Sequence, residues 1–94
     1  MDSVTGFKPG PELTFESVVA VRAKLHQAIS MEKNEVFYLD LSEVLHCDSA
    51  GLALLIEAKK ICVHNNKLFQ VIGVPSKTQS LAEFCGVSSI IETA

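Results

Sequence analysis

Residues 46–60, HCDSAGLALLIEAKK, set a knot of small and polar residues directly against an apolar run. Asp48, Ser49 and Gly51 stand at the head of a segment with helical spacing. The first turn of a helix carries unpaired N–H groups and the positive end of the helix dipole. An acidic side chain there is favourable by ~0.3–1 kcal/mol, so Asp48 reads as a cap. Gly51 removes a side chain where another backbone or a bulky partner can approach closely. Placed at ~100° steps, Leu52, Leu55, Ile56, Cys62 and Val63 cluster on one side of this helix, and Leu54, Ala58 and Ile61 extend the apolar surface round a second. The resulting arc is near ~220°, about twice the stripe of an ordinary surface helix. Either neighbouring elements of the same chain cover the surplus, or it is a patch that marks a protein partner. With the serine and glycine at its edge, the stretch reads as a docking helix rather than a catalytic loop.

Working outward, VFYLDL at residues 36–41 is a short, nearly continuous apolar run, the pattern of a central strand buried on both faces. The loop 42–47 joins it to the helix, expected over 50–64 and ended by Asn65-Asn66. LFQVI at 68–72 gives the next strand, and Gly73-Val74-Pro75 turns the chain. Ser76 is an N-cap for a helix running to about Cys85, with Gly86 as its stop. Ile90-Ile91 forms a short strand or tail. On the N-terminal side, Val18, Val21, Leu25, Ala28 and Ile29 make a helical stripe, with Thr14 or Ser17 at its start. Residues 12–15 and 3–8 read as short strands on either side of the Pro9-Gly10-Pro11 break. Strands alternating with helices place the chain in the α/β class, with right-handed crossovers. In such sheets functional groups gather beyond the carboxyl ends of the strands, and residues 40–51 form such a loop.

The bulk numbers narrow the function classes. With 94 residues the chain has room for one core, expected as a single domain over residues 1–94. Hydrophobic content is 48%, with five Phe, one Tyr and no Trp, which implies an aliphatic core and not a disordered tail. A net charge of −3 with scattered Lys and Arg argues against nucleic acid. Cys47, Cys62 and Cys85 are odd in number and unpatterned, which fits reduced cytosolic thiols. The N-terminus lacks a signal-peptide pattern, and no apolar run nears the ~20 residues that span a bilayer.

Ser49 carries the sharpest chemical reading. Phosphate added there would be held by the helix N–H groups and dipole, and would lie beside the like charge of Asp48. Such a group could switch a docking surface off. Hydrolase chemistry fits less well, because a nucleophile elbow needs Gly two residues before the serine, where Cys47 stands. His46 is the nearest general-base candidate. The adjacent His46, Cys47 and Asp48 lack the spacing of a preformed metal site, and His26 and His64 lie far off in sequence. No phosphate-binding loop is present, so neither nucleotide nor any other cofactor is expected, and the chain reads as a non-enzyme.

FYLDLSEVLHCDSAGLALLIEAKK, residues 37–60, closely resembles the central strand, loop and helix of STAS domains, the group named for sulfate transporters and anti-sigma factor antagonists. GPELTFESV resembles the second strand and first-helix entry of that family, and LFQVIGVPSKTQSLAEFCGVSSII its last strand and C-terminal helix. The resemblance implies a mixed central sheet of about four to five strands covered by about three to four helices. It also implies one of two functions. DSAGLALLIE and ELTFESV are more similar to the stand-alone STAS subunit of Mla-type phospholipid ABC transporters. That subunit binds the cytoplasmic ATPase and supports its assembly and activity. This chain would then be cytoplasmic, peripheral to the inner membrane through its partner. The alternative is an anti-sigma factor antagonist, in which the serine matching Ser49 is phosphorylated by a partner kinase. Antagonists usually carry Asp after the Leu of the second strand, where this chain has Thr14. The expected contact residues are Asp48, Ser49, Ala50 and Gly51, with Leu52, Leu54 and Leu55 as candidates for packing or docking.

Overall fold

The pivot of the architecture is β2, Val36–Asp40, in a computed structural model that describes residues 6–91. It runs parallel to β4, Leu68–Ile72, with Phe37 opposite Phe69 and Leu39 opposite Val71. Side chains alternate across a strand, so these four share one face, and Phe37, Leu39 and Val71 are buried there. Val36, Tyr38 and Asp40 point to the other face and are only half-buried. The expectation of a strand buried on both faces is thereby corrected. The apolar run is one fully covered row interleaved with a half-covered one, which hydrophobicity alone does not distinguish.

Between these strands the chain crosses through α2, Ser49–His64, while α1, Val18–Met31, packs beside it. Val21, Leu25 and Ile29 of the expected α1 stripe are buried, with Val18 and Ala28 packed at the margin of the same core. Ser17 holds the N-cap position of α1, but its hydroxyl turns backwards. It accepts from the Thr14 N–H at 2.9 Å and lies 2.8 Å from the Glu12 carbonyl as a donor. The serine therefore fixes the strand-to-helix turn instead of capping the helix.

Two short strands complete the ladders. β1, Glu12–Leu13, pairs in parallel with β3, His46–Cys47, a strand within the segment expected as loop. Phe7 adds a single parallel bridge to Leu39, and residues 3–5 of the expected first strand lie outside the described residues. Among the described residues there are thus two two-stranded parallel ladders and no continuous four- or five-stranded mixed sheet. The cause lies in Pro9-Gly10-Pro11, since proline has no N–H to give to a ladder. Phe7 bonds to β2, the prolines interrupt, and the chain resumes pairing only at β3, where the Pro11 carbonyl accepts from Leu45 and His46.

The last helix, α3, spans Ser76–Phe84. Its N-cap is Pro75, and Ser76 is its first helical residue with no side-chain cap bond. This corrects the expected cap by one position. Both α2 and α3 end in Schellman motifs. Asn66 (φ 59°) and Gly86 (φ 76°) take the left-handed position, and the next N–H groups, of Lys67 and Val87, reach back to the carbonyls of Cys62 and Ala82. Ser88–Ile90 forms a 3₁₀ turn, which seats Ile91 in the core where a short strand or tail was expected.

Candidate functional site

Asp48 organises one pole of the molecule. Its Oδ1 accepts the Gly51 N–H at 3.1 Å, as an N-cap does, and its Oδ2 accepts the Phe15 N–H at 2.9 Å. Its own N–H donates to the Leu13 carbonyl. One carboxylate therefore binds the head of α2 to the chain entering α1. The Phe15 N–H, and behind it those of Gly51 and Ala50, hold the Asp48 carboxyl below the usual carboxylate range. As a cap the residue stands as the sequence led one to expect; the bond to Phe15 was not foreseeable from spacing.

The two helices start at this pole and run side by side in the same direction. About two turns further along, Arg22 Nε lies 2.8 and 2.9 Å from the two Glu57 carboxylate oxygens. His26 Nε2 lies 3.6 Å from Glu57 Oε2. Above that tie, the outer surface carries several small and apolar side chains, with Glu16 among them. Phe15 is 77% exposed and Val19 80%, and Ser49 and Ala53 are exposed beside a half-buried Ala50. Val19 sits one turn beyond Phe15, and Ala53 one turn beyond Ser49. Leu45, 70% exposed, precedes β3 at the same end. Sequence reading missed Phe15, Val19 and Leu45. The available signal was Val19, an apolar β-branched residue lying off the buried stripe of α1.

The expected contact residues divide cleanly. Ser49 is exposed, and Asp48 and Ala50 on either side of it are half-buried. Leu52, Leu54 and Leu55 are 4%, 4% and 1% exposed and belong to the core of the chain itself, with Ala58 and Cys62. Of the two roles expected for them, packing or docking, their burial supports packing, since most of the apolar arc of α2 is covered by the sheet, α1 and the C-terminal turn and only its Ile56 and Val63 edge stays open. Gly51 is also an internal contact. A Cβ there would collide with the Leu13 backbone carbonyl and lie 3.0 Å from the Cys47 sulfur. Its missing side chain lets α2 sit directly on β1.

Catalytic arrangements find little support among these groups. His46 Nδ1 lies 2.8 Å from Glu12 Oε2 across the β1–β3 ladder, an exposed cross-strand pair. Burial and the neighbouring Asp48 charge push the Cys47 thiol up to about 11, which removes thiolate at neutral pH. A cleft of about 470 Å³, lined in part by Thr14, Leu45, His46, Asp48 and Lys77, opens between β3 and the start of α3. Among the described residues no three His, Cys, Asp or Glu side chains gather as a metal ion would require. No described helix is long and apolar enough to cross a membrane.

The sequence that builds this pole matches a known family. The family model described as "Mlab, STAS domain" covers residues 10–92. The chain belongs to the STAS domain family. Among curated proteins, no match was found. STAS domains are generally non-enzymatic binding or regulatory modules, and a role in protein interaction follows for this chain at that level.

Proposed function

We propose that this STAS domain is a non-enzymatic regulatory and assembly subunit that binds the cytoplasmic ATPase of an Mla-type phospholipid ABC transporter. One observation supports this reading above the rest. The paired N-terminal ends of α1 and α2 expose Phe15, Val19, Ser49 and Ala53 together, while the acidic cap beneath them is already satisfied by backbone N–H groups. Apolar side chains held rigidly and left open suit a protein partner. The likeness of DSAGLALLIE to the transporter subunits, with the family match, supports the ATPase as that partner. Through it the chain would sit at the cytoplasmic side of the inner membrane.

Co-purification of the ATPase with the wild-type chain, set against Ser49→Arg and Val19→Glu, tests the reading. Both positions are exposed, so the variants should fold normally, retain less than about a tenth of the ATPase and fail to alter its turnover. Unchanged capture and turnover with both variants would place the contact elsewhere.

The second reading, an anti-sigma factor antagonist, is favoured by the accessibility of Ser49 at the first position of α2. A phosphate there would compete with Asp48 for the same N–H groups and repel its charge. Mass spectrometry after incubation with a cognate kinase and ATP separates the two. An 80 Da gain lost in Ser49→Ala supports the antagonist, where 80 Da is about the mass of one added phosphoryl group. An unmodified chain excludes it.

A further inference from the structure

A second surface lies on the other flank of α2, away from α1. The side chains of Ile56, Lys59, Lys60, Val63 and His64 recur at three- and four-residue steps, and Ile90 of the C-terminal 3₁₀ turn closes the far wall. Together they enclose a groove of about 430 Å³. Its floor is aliphatic, and Val63 is 63% exposed. Its rim carries two lysines, with His64 beside them and no carboxylate among the lining residues. Among the described residues neither Lys59 nor Lys60 pairs with an acid, and both are exposed on adjacent positions of α2. In a chain of net charge −3 this cationic cluster around an apolar trough is set apart from its surroundings.

We propose that this groove binds a single-chain anionic amphiphile, its alkyl chain along Ile56, Val63 and Ile90 and its acidic headgroup on Lys59 and Lys60. The dimensions favour a small ligand over a protein. Ligand sites run to roughly 300–1,000 Å³ and combine apolar walls with a few convergent polar groups. A stable protein interface needs about 800 Å² from each partner. The stripe from Ile56 to Val63 advances only about 10 Å along the helix, two turns, and the 3₁₀ turn stops it on one side. The lysines contribute in two ways. Their ammonium groups attract the headgroup, and their methylene stems extend the apolar wall. Such a ligand would occupy the C-terminal half of α2, further along the helix than the Ser49 and Ala53 end assigned to the protein partner, and its binding does not depend on that assignment.

The test is calorimetric titration of the intact chain with dodecyl phosphate below its micelle concentration. Dodecyl maltoside, inorganic phosphate, vesicles of anionic phospholipid and an acidic amphipathic peptide form the other arms. Dodecyl phosphate should bind with a Kd on the order of 10–100 µM, and the neutral detergent and inorganic phosphate at least about tenfold more weakly. The double variant Lys59→Glu/Lys60→Glu and, separately, Val63→Glu should each weaken dodecyl phosphate at least about tenfold. Both alter exposed positions, and an unchanged thermal midpoint shows that the fold is intact. Phe15→Glu, at the opposite pole, should leave binding unchanged. Equal binding of the neutral detergent, or indifference to all the groove variants, would overturn the proposal. So would binding confined to the vesicles or the peptide.

Discussion

At the scale of single residues, Asp48 and Gly51 define the pole. Asp48 has two oxygens and uses both, one on Gly51 and one on Phe15. Removing an N-cap acceptor costs roughly 1 kcal/mol and a further backbone hydrogen bond about as much again. Asp48→Ala should therefore destabilise the fold by about 2 kcal/mol, and Asp48→Asn, which keeps one acceptor oxygen, by about half of that, measured by urea unfolding at pH 7. The pH dependence has a definite sign. The Asp48 carboxyl titrates below its ordinary 3.8 in the folded chain, so the unfolded state takes up its proton first as pH falls. Its stabilisation is complete above the unfolded value and fades as pH drops from about 4 through the folded one. The gap between wild type and Asp48→Asn should narrow over that window and stay constant above it; a gap that widens on acidification would refute the assignment. At Gly51 two effects compete. Replacing a glycine by alanine is worth up to about 1 kcal/mol in a helix interior and less in a first turn, where Gly51 lies. The added Cβ would strike the Leu13 carbonyl, a backbone atom that cannot swing aside. Overpacking of this kind costs about 1–3 kcal/mol, so Gly51→Ala should lower the urea midpoint despite the better propensity.

At the scale of elements, α2 shows how far a sequence can be read and where reading stops. Its cap at Asp48 and its end at His64 were legible, because a cap and a 3.6-residue period are local properties, though its first residue is Ser49 and not the expected Ala50. What covers its apolar arc was not legible. Periodicity reports that Leu52, Leu54 and Leu55 avoid water, and is silent on whether the cover is this chain or another. The two-residue strand β3 was equally hidden, since two residues carry no alternation and the pairing partner, Glu12–Leu13, lies more than thirty positions away. The surface of the pole escaped for a related reason. The Phe15 backbone is fixed by a hydrogen bond to Asp48, a contact between residues distant in sequence. The end of α2 is a local feature and yields a direct prediction. Asn66 sits at φ 59°, where an L residue with a β-carbon is strained and glycine is not. Asn66→Gly should raise stability by a few tenths of a kcal/mol, and Asn66→Ala should lower it by about 1 kcal/mol. The opposite signs, read as shifts of the thermal midpoint, distinguish a left-handed helix stop from a merely polar surface site.

At the scale of the whole molecule, the three cysteines sample three depths of one cooperative core and so report how the chain opens. Cys85 is exposed just beyond α3, Cys47 is half-buried in β3 beneath Gly51, and Cys62 has no exposed surface. Thiolate is the reactive form, and burial pushes both Cys47 and Cys62 up to about 11, with the Asp48 charge adding to the effect at Cys47. Two barriers therefore protect Cys62: its protonation and the need to expose it. Cys62 packs with Leu55 and Ala58 on the core face of α2, the helix that joins the two strand ladders. Freeing it requires the last turn of α2 to break its closing bond from Lys67 and leave the core. A maleimide at pH 7.5 should accordingly modify Cys85 first and in a single fast phase. Cys47 should follow more slowly, as β3 opens from β1. Cys62 should react at a rate that rises with urea as steeply as global unfolding does, since it lies wholly within the core. Asp48→Ala separates the two slow sites. It weakens the anchor at the head of α2, and so should accelerate Cys47 directly and Cys62 only by the loss in global stability. Rapid native-state labelling of Cys62, at a rate near that of Cys85, would show that α2 detaches from the core on its own and would contradict the packing described for this molecule.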